Sequence, residues 1–202
     1  MAQLLATLLI TLVSYGLGCF STAYYLVRWR TGKDIRQEGS GTAGARNVGR
    51  ILGKVGFALT FLGDASKGAL AVGLARWFDV PSLGIVAALL AVVAGHLWPV
   101  QLGGKGGKGA STALGGVLVI HPWLGLATLA VALVFLAFTH SFSRAGMIAM
   151  AFVPLIAWLI GLDGVVVGGV VALVALLLFA HRENWFAARA KEQSLPSQGI
   201  EH

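Results

Sequence analysis

From Leu102 to Ile120 the chain reads LGGKGGKGASTALGGVLVI, and the fold turns on whether the second half of this stretch crosses a membrane. From Gly109 to Ile120 the chain is apolar for only about a dozen residues, against the roughly 20 that a transmembrane helix takes. By itself that length suits a short, tilted or partly re-entrant helix. The surroundings leave no doubt about the setting. The 202 residues are 57% hydrophobic and 11% charged, with a mean hydropathy of +0.82. A soluble domain carries about a quarter charged residues to keep its surface wetted, so these apolar residues must face lipid. Six further stretches are long enough to span, near 3 to 27, 51 to 76, 80 to 102, 122 to 140, 145 to 161 and 164 to 180. The first of them lacks the basic lead and small-residue cleavage site of a signal peptide and is expected to stay.

Lys and Arg decide the count, because loops retained in the cytoplasm carry an excess of them. With seven crossings and Met1 outside, the cytoplasmic segments are about 28 to 50, 103 to 109, 140 to 144 and 181 to 202. They hold Arg28, Arg30, Lys33, Arg36, Arg46, Arg50, Lys105, Lys108, Arg144, Arg182, Arg189 and Lys191, and only Arg76 falls on the other side. If the short piece did not cross, the later basic segments would be forced to the opposite face. The expected fold is therefore all-α: a polytopic membrane bundle of about seven transmembrane helices, N-terminus outside and C-terminus cytoplasmic. It forms one domain over residues 1-193, followed by a flexible polar tail at 194-202.

Several classes drop out. The single Cys19 allows neither an intramolecular disulfide nor a thiolate metal cluster. The net charge of +7 is confined to short stretches between apolar ones, which topology and anionic lipids explain without nucleic acid. No period of 20 to 50 residues repeats along the chain.

Four polar interruptions remain. In Gly39-Ser40-Gly41-Thr42-Ala43-Gly44-Ala45-Arg46-Asn47-Val48-Gly49-Arg50, small residues leave backbone N–H groups exposed beside basic side chains, a pattern that suits an anion or simply a flexible inside-positive loop. Leu102 to Thr112 resembles a Walker loop without satisfying it. That motif needs Gly five residues before the Gly-Lys pair and Ser or Thr after the Lys, and here the positions are Leu102 and Gly109 for Lys108, and Pro99 and Gly106 for Lys105. Nucleotide hydrolysis is unsupported, yet two ammonium groups and glycine amides just before a helix still favour an anion. Asp64 and Lys67 stand three apart on one helix face, either a self-neutralising pair or a contact to substrate. His181-Arg182-Glu183-Asn184 and His96-Leu97-Trp98-Pro99 each offer a histidine that can accept a proton or cap a helix end.

Taken in this order and spacing, the four segments resemble the bacterial acyl-phosphate:glycerol-3-phosphate acyltransferase family over nearly the whole chain. Its members carry Gly-Ser-Gly-Asn-x-Gly-Ala-Thr-Asn-Val-x-Arg, Asp-x-x-Lys-Gly, His-x-x-Pro leading to Lys-Gly-Gly-Lys-Gly-x-Ala-Thr, and His-Arg-x-Asn. Here these are Gly39 to Arg50, Asp64 to Gly68, His96 to Pro99 with Lys105 to Thr112, and His181 to Asn184. The resemblance implies a catalytic group of His181, Asn184 and Ser40. Phosphate and substrate binding would fall to Gly41, Arg46, Asn47, Arg50, Lys105, Gly106, Gly107, Lys108 and Thr112, with Asp64, Lys67 and His96 in support. It also implies a cell-membrane protein of phospholipid biosynthesis, active on its cytoplasmic side, with neither cofactor nor metal. Three positions depart from the pattern: Thr42 for Asn, Arg46 for Thr and Ser111 for Ala.

The implied reaction is attack by the primary hydroxyl of glycerol 3-phosphate on a fatty acyl phosphate, releasing phosphate and 1-acylglycerol 3-phosphate. Phosphate leaves well, so no acyl-enzyme is needed; a substrate phosphate or His181 serves as base. The His-x4-Asp signature of thioester-dependent glycerophosphate acyltransferases is absent, since Gln101, Leu126, Ala145 and Phe186 stand at the Asp position after His96, His121, His140 and His181. The rival readings are a transporter of an anionic metabolite and a non-catalytic lipid-binding relative. One-sided polarity and the lack of repeats argue against the transporter.

Overall fold

The computed structural model describes the backbone of residues 1–193 and side chains through Arg182; the expected tail at 194-202 and the Asn184 side chain lie outside the described residues. All regular structure among the described residues is helical: α1 (Ala2–Cys19), α2 (Thr22–Thr31), α3 (Ala45–Trp77), α4 (Ser82–Leu97), α5 (Ala110–Ile120), α6 (Pro122–Thr139), α7 (Phe142–Leu159) and α8 (Gly164–Gln193). Short 3-10 turns occupy Ile35–Gln37 and Val100–Leu102. Among the described residues six stretches are long and apolar enough to span a bilayer, and α5 is the shorter seventh.

Two expected spans change shape. The run read as one helix over 3 to 27 breaks after Cys19, where Phe20 is extended and Ser21 caps a new helix by accepting from the Tyr24 amide at 3.3 Å. The carbonyls at the break are satisfied from α3, because Lys67 Nζ donates to Gly18 at 2.8 Å and to Phe20 at 2.6 Å. The span expected over 51 to 76 begins at Ala45 instead and is interrupted at Gly53, whose φ of 71° and ψ of −165° are open essentially to glycine alone.

With 11 residues, α5 is about 16 Å long, roughly half the hydrocarbon thickness. It is sunk in the bundle, with Thr112, Ala113, Gly115, Gly116, Val117 and Ile120 buried and α3, α6 and α4 packed around it. Glycine permits the closest of these approaches. A Cβ on Gly115 would stand 1.9 Å from the Ala65 carbonyl oxygen, and one on Gly68 would stand 2.0 Å from that of Thr112. The α1–α4 crossing is built the same way, with Gly18 against Val92 and Gly95 against Tyr15, each at 2.2 Å. Lipid removes most of the hydrophobic drive between helices, so such backbone contact and its dispersion energy hold the bundle together.

The ends of the helices mark the membrane faces. Trp29 and Trp98 are exposed at one end of the bundle, and Trp77, Trp123 and Trp158 at the other, as in the aromatic belts of membrane proteins. Arg76, the basic residue that breaks the charge rule, is a helix cap: its Nη1 donates to the Val119 and Ile120 carbonyls at the end of α5, both at 2.9 Å. Asp163 does the converse at the start of α8, accepting from the Val165 and Val166 amides at 2.9 and 3.0 Å and from Ser82 Oγ at 2.9 Å. The Val166 amide and the Ser82 hydroxyl hold its carboxyl below the usual carboxylate range.

Replacing Gly115 by Ala should therefore force α3 and α5 apart and lower stability by about 1–3 kcal/mol. Gly73→Ala, at a site in α3 with nothing within 4 Å, should match or exceed the parent. Thermal unfolding in detergent compares them, and equal behaviour of the two variants would remove backbone contact as the basis of the crossing.

Candidate active site

The starts of α3, α5 and α7 and the stretch of α8 around His181 meet at one end of the bundle, around a cavity of about 350 Å³. Its cationic wall carries Arg46 and Arg50 from the first turns of α3 and Lys108 from the glycine-rich loop. Between them open two helix N-termini, α3 behind Gly44 and α5 behind Gly109, neither capped by a side chain among the described residues. First-turn amides have no acceptor within their own helix, and the helix dipole adds a partial positive charge there. Anion binding follows from both together.

Several of the loop amides expected from composition to be free are instead engaged within the protein. In the first loop the Ser40 amide donates to Asn47 Oδ1 at 3.0 Å, Gly41 to Glu38 at 3.0 Å and Ala43 to Gly106 at 3.3 Å. In the second, Gly106 donates to Leu97 at 3.0 Å and Gly107 to His96 at 3.1 Å. Gly106 and Gly107 serve packing: a Cβ on the first would stand 2.0 Å from the His96 carbonyl oxygen, and on the second 2.2 Å from His96 Nε2. Lys105 points outward and is exposed, outside the cavity lining. Gly41 lies off the cavity at a φ of 70°, and Thr112 is buried facing α3.

Asn47 organises the first loop from within. Its Nδ2 donates to the carbonyls of Glu38 at 2.8 Å, Thr42 at 3.1 Å and Ile35 at 3.3 Å, while Oδ1 takes the Ser40 amide. Ser40 and Thr42 line the cavity with their hydroxyls 2.9 Å apart. Arg36 then ties this loop to the glycine-rich one: Nη1 donates to the Leu102 carbonyl at 2.6 Å, while Nε and Nη2 grip Asp34 at 3.0 and 2.6 Å. The Arg36 hydrogen bonds hold the Asp34 carboxyl below its ordinary range.

His181 closes the cavity from α8, 5% exposed, with Nδ1 2.8 Å from the Leu177 carbonyl. A carbonyl can only accept, so Nδ1 carries the hydrogen and Nε2 of the neutral ring holds the lone pair. Deeper in the wall, Asp64 sits 3.5 Å from Lys67 Nζ and 3.7 Å from His96 Nδ1, all three side chains buried. Asp64 and His96 reach the cavity, whereas Lys67 faces the α1 break. Ser143, Phe142, Gly146 and Ser111 also line it. Ser111 entered the sequence reading only as a departure from the family pattern and the other three not at all, although Ser141-Phe142-Ser143-Arg144 is a polar interruption between two apolar helices. Arg46, one of the three departures from the family pattern, has its partner here: Nη1 donates to Ser143 Oγ at 2.7 Å.

An apolar pocket adjoins this cavity and shares Ala110, Ser111, Phe142 and Gly146 with it. Its other walls include Phe61, Leu114, Leu129, Leu133, Leu136 and Met150, and it runs down between α6 and α7.

Fold and cavity together define a multi-pass helical membrane protein with a cationic recess that opens onto an apolar one. Residues 8–191 match the model of the glycerol-3-phosphate acyltransferase family, and the chain belongs to that family. It is 45% identical over 178 residues to glycerol-3-phosphate acyltransferase 1 of Desulfitobacterium hafniense (strain Y51), covering 88% of each chain. It is 43% identical over 190 residues to the glycerol-3-phosphate acyltransferase of Ralstonia pickettii (strain 12J), covering 91% of each. Two crystal structures of PlsY (YgiH), an integral membrane glycerol 3-phosphate acyltransferase, superpose over 92% of both chains. The glycerol 3-phosphate form has a TM-score of 0.86 at 32% identity, and the lysophosphatidic acid form 0.83 at 31%. The chain is accordingly an acyltransferase, membrane-embedded through several helices.

Asn47→Ala should strand three carbonyls and one amide of the first loop and cost about 1–3 kcal/mol of stability. Thermal unfolding measures it, and a variant as stable as the parent would show that the loop is held by something other than this amide.

Proposed function

We propose that this chain transfers a fatty acyl group from acyl phosphate to the primary hydroxyl of glycerol 3-phosphate, releasing inorganic phosphate and 1-acylglycerol 3-phosphate, or lysophosphatidic acid. The observation that carries this reading is the junction of the cationic cavity with the apolar pocket at Ala110, Ser111, Phe142 and Gly146. A donor with a phosphate head and an apolar tail fits across such a junction, the carbonyl between them falling at the border. The relatives named for glycerol 3-phosphate, and the PlsY structures in glycerol 3-phosphate and lysophosphatidic acid forms, support the acceptor and the product.

Two phosphates must be held near one another, which requires several positive charges. Arg46, Arg50, Lys108 and the two helix N-termini meet that demand and can stabilise charge as it moves from the attacked carbonyl to the leaving phosphate. Ser40, Thr42 and Ser143 add neutral donors along the same wall. A phosphate oxygen of one substrate can take the hydroxyl proton, and on the protein Nε2 of His181 is the group suited to it. Asn184, one turn further along α8, completes the site in this reading. The one-sided Lys and Arg distribution supports a bacterial cell-membrane location with the cavity facing the cytoplasm and Met1 outside.

Purified protein supplied with glycerol 3-phosphate should release phosphate from an acyl phosphate and should not consume acyl-coenzyme A of the same chain length. Turnover with the thioester alone overturns the donor assignment, and turnover with neither in folded protein favours the non-catalytic relative. Lys108→Ala should lower turnover about ten- to a hundredfold, the worth of one charge-assisted phosphate contact. Lys105→Ala should fall within about threefold of the parent, because an exposed charge is well screened. Equal losses in the two variants would place both lysines on phosphate.

A further inference from the structure

The cationic wall accounts for phosphate but leaves two polar groups of the cavity without a purpose. Among the described residues, Oδ1 of Asp64 and Nδ1 of His96 are buried and take part in no hydrogen bond. Both residues line the cavity, and the two atoms are 3.7 Å apart. Lys67 offsets the Asp64 charge from 3.5 Å, but its close hydrogen bonds go to the Gly18 and Phe20 carbonyls. Such unmet buried capacity is expensive in a protein and is retained where a ligand meets it.

The chemistry of the pair selects the ligand group. A carboxylate only accepts hydrogen bonds and repels phosphate, whereas an imidazole nitrogen takes either part. A hydroxyl satisfies both, donating to Asp64 and exchanging a hydrogen bond with His96, since one oxygen can lie about 2.8 Å from each of two atoms so spaced. We propose that Asp64 and His96 form a hydroxyl-reading subsite that recognises the secondary hydroxyl of the acceptor, an inference that rests on the acyl-transfer reading above. It is the secondary hydroxyl because the acyl carbonyl arrives at the border of the apolar pocket, formed by Ala110, Ser111, Phe142 and Gly146, and neither Asp64 nor His96 belongs to that border. The hydroxyl they hold is the one that is not acylated. Gly107 adds to this arrangement, since its missing side chain lets the loop carrying Lys108 lie directly against His96. Phosphate grip and hydroxyl grip are thereby held at a fixed separation, which makes the cavity a gauge for a three-carbon polyol phosphate.

The test compares glycerol 3-phosphate with 3-hydroxypropyl phosphate, which keeps the phosphate and primary hydroxyl and lacks only the secondary one. Wild-type protein should prefer glycerol 3-phosphate about ten- to a hundredfold in kcat/KM, the range for loss of a hydrogen bond to a charged partner. In Asp64→Asn and in His96→Gln the two acceptors should come within about threefold of one another, with the loss borne by glycerol 3-phosphate. A variant that slows both acceptors by the same factor would make the pair structural, and a wild type indifferent to the secondary hydroxyl would overturn the subsite. Calorimetric binding of the two phosphates to the same proteins should show the same pattern in Kd without turnover. A selective Kd with no acyl transfer from any donor would therefore refute the proposed reaction and leave the subsite standing.

Discussion

The constraint on which this structure rests is that α5 is too short to cross a bilayer by itself. A helix of about 16 Å inside a bundle built for roughly 30 Å needs the glycine-rich loop before it to complete the path between the two faces. Backbone at that depth is tolerated only when protein satisfies it or a water-filled recess receives it. Both solutions are used. The glycine-rich loop hands its Gly106 and Gly107 amides to Leu97 and His96, so protein carbonyls satisfy these two donors. The first turn of α5, at Ala110 and Ser111, lines the recess. A deficit of length in one helix thus becomes a cavity with a positive floor.

Charge within the recess is sorted by depth and by partner. Arg46 and Arg50 stand on the first turns of α3 beside Lys108, where they add to the dipoles of two helices. The acidic group sits further along α3, held neutral overall by Lys67 and set apart from the cations by the loop folded over His96. Among the described residues of this recess none is built as a nucleophile with its own base, and the proposed reaction, in which phosphate leaves, requires none. What the protein contributes is position and a preset field, the terms that dominate when neither substrate needs covalent activation.

Much of this was legible in the sequence, for identifiable reasons. Apolar length and the Lys and Arg distribution depend on local composition, so seven helical segments and the clustering of basic loops could be read directly. Side-chain destinations could not. Lys105 and Lys108 both follow a Gly-Gly pair and look equivalent on paper, yet the turn at Gly103 and Gly104, both at positive φ, sends one outward and leaves the other in the cavity. The loop amides seemed available because their acceptors lie elsewhere in the chain, at Asn47, His96 and Leu97. The break at Phe20 was hidden because the run stays apolar through it, and its compensation comes from Lys67, 47 residues away. Ser143 was passed over for a like reason, since only the meeting of α3 and α7 gives it Arg46 as a partner.

The clamp from Lys67 to the end of α1 bears on how the chain enters the membrane. Of the long stretches, Ala45–Trp77 is the least apolar, with a mean hydropathy of 1.2 against 1.9 for Ala2–Thr31 and 2.5 for Gly164–Arg182. A lone lysine or aspartate near the centre of an inserting helix costs about 2.5–3.5 kcal/mol, and this one carries both. Its acceptors, the Gly18 and Phe20 carbonyls, belong to the segment synthesised first. Because translation runs from the N-terminus, α1 is already resident when α3 emerges, and its broken end offers a ready receiver for the ammonium. The order of synthesis along the chain, from receiver to received, thus places the acceptors of the Lys67 ammonium ahead of the span that carries it.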